Sequence, residues 1–172
     1  MSDQSDPSEP GRAWTFGDNI DTDQITPSRF IVSSDPDELA QHAFNDLRPA
    51  FADEVEAGDF VVAGHNFGSG SSREHSPLAL ASSGIDAVVA QSFARIFFRN
   101  GINLGLPLLI CPEADRITDG DEISIDLDAG RVHNHTTDET YDAEALPEFL
   151  QSLVEQGGLK PYTKAKLQES SE

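Results

Sequence analysis

A single mixed α/β domain is what this sequence predicts, and three observations carry that reading. Apolar strand-like runs alternate with helical segments through the middle of the chain, giving a central β–loop–α–β–α–β order. Hairpin-like segments flank that run. No internal repeat and no linker divides the 172 residues, of which 37% are hydrophobic, enough for one real core.

The elements follow in chain order. Residues 1–11, "MSDQSDPSEPG", are polar, acidic and proline-bearing and are expected to be a disordered tail. The domain is placed at residues 12–165, with a second disordered tail at 166–172. A short strand near Ala13–Phe16 leads into a loop dense in Asp and Asn. "DPDELAQHAF", residues 35–44, reads as a helix in which Asp35 caps, Pro36 fits the first turn, and Leu39, Ala40 and Phe44 share a face. Phe60–Ala63 is a strand ending at a glycine. "PLALASSG" is a helix stopped by Gly84; "IDAVVAQSF" is a strand, "ARIFFRNGINLG" a short helix and "LPLLIC" the next strand. Alternation at Ile123, Ile125 and Leu127, then "DAG", predicts a hairpin whose second strand starts at Arg131. An amphipathic helix closes the order, with Phe149, Leu150 and Leu153 facing inward and Gly157-Gly158 capping it.

Charge and cysteine content exclude several functions. Against 31 acidic residues stand 11 basic ones, a formal net of −20, and the three lysines all lie near the C-terminus. Such a surface repels nucleic acid and anionic lipid. The acids are spread along segments that also carry apolar runs, so the chain reads as a folded protein with an acidic skin. That skin suits a high-salt cytoplasm, where screening removes the self-repulsion. The one cysteine, Cys111, sits in a strand-like run; it has no internal disulfide partner and alone holds neither zinc nor an iron–sulfur cluster. An acidic N-terminus without an apolar stretch gives no signal peptide, and no run approaches a membrane span. A soluble, cytoplasmic protein is expected.

"HNFGSGSSREHSP", residues 65–77, is the segment richest in chemistry. A flexible linker is the plain reading of so much Gly and Ser. Its position argues otherwise, because it follows a buried strand directly and runs into a helix. A glycine turn there presents backbone N–H groups and the positive end of a helix dipole, which makes an anion site. It matches neither G-x-x-x-x-G-K-[ST] nor G-x-G-x-x-G, so a nucleotide is disfavoured. Arg73 adds a planar cation suited to carboxylate, and a small polycarboxylate is the better ligand.

Three stretches resemble the swivelling domain of the aconitase superfamily. "GSGSSREHSP" is similar to its serine–serine–arginine loop, and "GDNIDTDQITPSRF" to the signature near its start. "QSFARIFFRNGINLGLP" is similar to a third, in the form found in isopropylmalate dehydratase small subunits. Together they span residues 17–107. The resemblance implies an aconitase-like swivelling β/β/α fold. It also implies a hydro-lyase that interconverts 2-isopropylmalate and 3-isopropylmalate through isopropylmaleate, in leucine biosynthesis. In the family a 4Fe–4S cluster on a larger domain or subunit takes the substrate hydroxyl, and that cluster needs three cysteines. With one cysteine, this chain is expected to bind no cofactor or metal itself and to work with a cluster-bearing large-subunit partner on a small dicarboxylate.

The same resemblance assigns roles. Ser71 is the base, as an alkoxide favoured by backbone N–H donors and by Arg73. Ser72 and Arg73 hold substrate carboxylate, and Thr22 and Asp23 stand at the rim, where Asp23 assists proton transfer or orients the partner's groups. Structural alternatives remain for each: Ser72 as a helix cap, Asp23 as a turn-former, Arg73 paired with Glu74. His75 is expected to be structural. Of Arg95 and Arg99, one is expected to face the site or the partner, with a structural ion pair as the alternative for either. His133 and His135 would share a strand face, but no third metal ligand is evident.

Family members differ at the substrate's third arm, where aconitases and homoaconitases carry an arginine for an extra carboxylate. The matching loop here is "RFIVSS", residues 29–34, with Val32 at the discriminating position and Ile31 beside it. Burying a carboxylate against valine costs several kcal/mol, roughly; packing an isopropyl group there gains about 0.8 kcal/mol per methylene. Arg29 turned inward would restore a homoaconitase-like substrate, and a citramalate-type acid is a further alternative. A non-catalytic anion-binding regulatory module is the alternative from another class.

Overall fold

The structure is a computed structural model and describes residues 9–31, 35–70 and 75–155. A seven-stranded sheet in the order β4-β3-β2-β1-β5-β6-β7 organises it. Its parallel half is β1 (Gly11–Thr15), β2 (Phe60–Ala63), β3 (Ala87–Ala90) and β4 (Leu108–Ile110). Its antiparallel half is β5 (Glu122–Asp126), β6 (Arg131–Asn134) and β7 (Glu139–Asp142). The two free edges approach each other at a single bridge between Ile110 and Glu144.

β2 and β3 are buried along their whole length because both faces are covered, as parallel strands require. Val61, Val88 and Leu108 point to one core, shared with the helices. Phe60, Val62 and Val89 point to the other, which Ile123, Val132 and Tyr141 of the antiparallel half close. Helices α1 (Thr22–Ile25), α2 (Pro36–Gln41) and α3 (Ala50–Glu54) lie between β1 and β2. α4 (His75–Ser82) and α5 (Arg95–Asn103) make the next two crossovers, and α6 (Glu148–Glu155) packs beside α5.

Several elements differ from the sequence expectation. The first strand starts at Gly11, where pairing with Ile123 begins, and ends before Phe16, whose ring stacks on Phe44 at 4.1 Å. α2 stops at Gln41, and Phe44 is outside it: with φ 56° it turns into the aromatic core, and its N–H donates to the Ile25 carbonyl. α3 and β7 carry weaker patterns and were not expected. Phe149 does not face inward; it is 57% exposed, while Leu153 of the same helix is buried. The Gly157-Gly158 cap and the tail at 166–172 lie outside the described residues.

Arg48 ties this core to the sheet. It lies over the Trp14 ring and donates two hydrogen bonds, both 2.6 Å, to the carboxylate of Asp119, which also accepts from the Thr15 N–H. The Arg48 hydrogen bonds chiefly hold the Asp119 carboxyl down from 3.8 to about 2. A depressed carboxyl contributes stability above the unfolded pKa and loses it as pH falls through the folded one. The pair is partly solvated, so screening limits its worth to about 1 kcal/mol. Asp119→Asn should cost that much at pH 7 and little near pH 2, as denaturant melts at the two pH values will show.

Candidate active site

The segment "DTDQ" forms a helical turn because it can cap itself. The Asp21 carboxylate accepts from the Gln24 N–H at 2.8 Å, and the Gln24 side-chain carbonyl accepts from the Asp21 N–H at 3.0 Å. This turn is α1, where the sequence reading had only a loop. The capping-box spacing was the signal available for it.

All three segments singled out in the sequence meet at residues 67–70. The Thr22 N–H donates to the Ser69 carbonyl and the Gly68 N–H to the Ile20 carbonyl, both at 2.7 Å. On the other side Phe67 bridges Phe93, and the Ala94 N–H donates to the Phe67 carbonyl at 2.9 Å. The glycine turn is thus threaded between the two other segments. Gly68 has φ +88°, and a Cβ there would lie 2.2 Å from Cγ of Phe97. Only glycine permits that backbone over that ring.

Beside this seam, α1 and α4 border an open cavity of about 270 Å³. Thr22, Asp23 and Thr26 line it from α1 and its end, His75 and Ser76 from α4, and Ser28 and Ile31 from the turn between. The Ser76 hydroxyl is 3.0 Å from the Thr22 carbonyl and 2.8 Å from the Thr26 hydroxyl, which is itself 3.2 Å from that carbonyl. Two hydroxyl protons serve three contacts, so both are engaged between protein groups. This buried triad clips α1 to α4 and is a positioning device rather than a ligand donor. The Asp23 carboxylate accepts the Ser28 N–H at 2.9 Å through one oxygen. His75 Nδ1 is buried without a hydrogen-bond partner among the described residues. Such an atom costs about 1–3 kcal/mol where it stays unsatisfied.

The structure brings Thr22, Asp23 and Ile31 together around one cavity. Ser71, Ser72, Arg73 and Val32 lie outside the described residues, as does Glu74, so the cap and ion-pair alternatives lie there too. The turn-forming alternative for Asp23 is realised by its bond to Ser28, while its second oxygen has no partner among the described residues. Arg29 does not enter the cavity. Its guanidinium makes a two-pronged ion pair with Asp46 and lies over the Phe30 ring, which stacks on His42. That hydrogen bonding raises the Arg29 pKa and lowers that of Asp46. Arg95 and Arg99 are exposed and pair with no acid among the described residues. His133 and His135 bond to Thr140 and Ser124 respectively, and the described residues contain no group of three side chains able to hold a metal. Thr26, Ser28 and Ser76 escaped the sequence reading, for which no local pattern marks them.

Comparison with known proteins gives consistent matches. The aconitase C-terminal domain family matches residues 19–113. The 3-isopropylmalate dehydratase small subunit 1 of Archaeoglobus fulgidus is 56% identical over 155 residues, 90% of this chain and 96% of that protein. The isopropylmalate/citramalate isomerase small subunit of Methanocaldococcus jannaschii is 49% identical over 161 residues, 93% and 96% of the two chains. A crystal structure of 3-isopropylmalate dehydratase from the same organism superposes with a TM-score of 0.91 at 42% identity, covering 94% of this chain and 96% of that one.

Proposed function

Because this chain belongs to the aconitase C-terminal domain family, and within it to the 3-isopropylmalate dehydratase small subunits, we propose that it closes that hydro-lyase's active site over a large-subunit partner. The observation that carries the reading is the cavity between α1 and α4, where the "DTDQ" turn and the start of α4 are clipped together beside the glycine turn. Gly70 and His75, the ends of the segment 71–74, both lie at this place: a Cβ on Gly70 would stand 3.2 Å from Thr22 Oγ1, and His75 lines the cavity.

Ser71 takes the proton alpha to a carboxylate, and the electron pair of that C–H bond becomes the double bond of isopropylmaleate as the hydroxyl departs. Water then adds with the opposite orientation. Ser72 and Arg73 hold a substrate carboxylate where charge develops, and Asp23 presents its second oxygen at the rim. A 4Fe–4S cluster on the partner supplies the Lewis acid for the hydroxyl. This chain's donors do not fit such a cluster, since its one cysteine, Cys111, is buried with its thiol directed at the Asp142 carbonyl. Ile31 and Val32 pack the isopropyl arm. The engagement of Arg29 by Asp46 favours this over a tricarboxylate substrate, because the cation nearest the specificity loop is already committed.

Anaerobic reconstitution with a large subunit tests the reading. Hydration of isopropylmaleate should exceed that of cis-aconitate and cis-homoaconitate by at least about 100-fold, the scale of a buried unpaired charge. Val32→Arg should shift preference toward the tricarboxylates, whereas Arg29→Ala should leave it unchanged. Equal rates on all three acids would overturn the assignment. A cytoplasmic, high-salt setting is part of the proposal and rests on the net charge of −20; full stability after dialysis into low salt would refute the high-salt part.

A further inference from the structure

The acidic residues thin out through the middle of the chain. Between Phe60 and Pro112 the chain carries only Glu74 and Asp86 of its 31 acidic residues. Buried strands account for part of this segment, but not for the outer face of α5, where Arg95, Ile96 and Arg99 are exposed. Arg95 and Arg99 are one helical turn apart on the same face. Neither pairs with an acid among the described residues, although the chain is crowded with acids. Ile96 is 40% exposed, and Phe149, on the neighbouring α6, is 57% exposed. Arginine beside an exposed aliphatic side chain, with no Asp or Glu anywhere in α5, is the composition of a protein–protein contact rather than of a solvated face.

Position says what covers it. α5 starts one residue after Ala94, which is bonded to Phe67, and its Phe97 ring underlies Gly68. The N-terminal end of α5, where Arg95 stands, therefore adjoins the glycine turn beside the cavity, and the exposed residues lie on the side of the helix away from Phe97. A partner that covers the cavity beside this turn can reach Arg95 and Arg99 from that end of α5.

We propose that the outer face of α5, centred on Arg95, Ile96 and Arg99, docks the large subunit, against a surface that offers carboxylates to the two arginines and an apolar contact to Ile96. This inference rests on the small-subunit reading above. An acidic chain meeting its partner through its own local cations gains steering and register from them, with the salt dependence such contacts carry.

The test is the affinity of the full chain for the cluster-loaded large subunit, by sedimentation or calorimetry at two salt concentrations. Arg95→Glu with Arg99→Glu should weaken assembly by at least about 30-fold, while kcat at saturating large subunit stays near wild type. The milder pair Arg95→Gln with Arg99→Gln should weaken it less and guards against misfolding, which a thermal melt would reveal. Arg131→Glu, on β6, serves as the control and should leave assembly unchanged. Wild-type assembly with unaltered affinity in both double variants would overturn the surface alone. So would a raised KM at unaltered affinity, which assigns the arginines to substrate, or loss of self-association instead, which assigns the face to a second copy. Failure of the wild-type chain to assemble at all would overturn the small-subunit reading and this inference with it.

Discussion

Ser71→Ala is expected to cut kcat of the assembled enzyme by at least about 10³-fold, within the range for loss of a positioned base. The proton to be removed is alpha to a carboxylate and weakly acidic, so water cannot replace an alkoxide there. KM should change little, because in the proposed mechanism Ser72 and Arg73 still hold the substrate. Affinity for the large subunit should also be unaffected, which separates loss of chemistry from loss of assembly. Steady-state hydration of isopropylmaleate, measured anaerobically with saturating partner, decides it. Residual activity above about a tenth of wild type would remove Ser71 from the role of base.

Gly68→Ala is expected to destabilise the fold by about 3 kcal/mol. Roughly 1–2 kcal/mol comes from an L side chain at positive φ and about 1–3 kcal/mol from overpacking against Phe97. For a chain of 172 residues this corresponds to a fall in melting temperature on the order of 10 °C. The geometry also predicts what the loss does to the site. If the turn lifts off Phe97, the Gly68–Ile20 and Ser69–Thr22 hydrogen bonds lengthen with it, and Thr22 no longer sits against Gly70. Activity should therefore fall further than stability alone explains. Reducing the ring in Gly68→Ala/Phe97→Leu should recover part of the melting temperature. A single variant that melts within a degree of wild type would show that the turn yields easily, and the seam would lose its claim to rigidity.

Strand positions were legible because the buried runs are local and apolar on both faces: Phe60–Ala63 falls where the sequence placed it. α1 was missed because its residues are polar and its helical turn depends on one reciprocal cap. Phe44 read as helical from its spacing to Leu39 and Ala40, yet the hydrogen bond to Ile25 draws it into a left-handed turn. Phe149 read as inward from the same kind of periodicity, which cannot tell a core face from a face that tertiary packing leaves exposed.

The sequence by itself determined which chemistry is on offer. The serine–serine–arginine loop, the "DTDQ" turn and Val32 are identities, and identity survives without coordinates. The tertiary structure decided which described side chains meet across the fold. Ser76 and Thr26 are 50 residues apart and 2.8 Å from each other, and Arg29 is held by Asp46, 17 residues away. Hydrogen-bond partners at such separations are fixed by how the sheet and its crossovers stack, which no window along the chain contains. That stacking brings three stretches scattered over residues 17–107 to one seam, where Ile20, Thr22 and Phe97 hold the glycine turn at residues 68–70 in place.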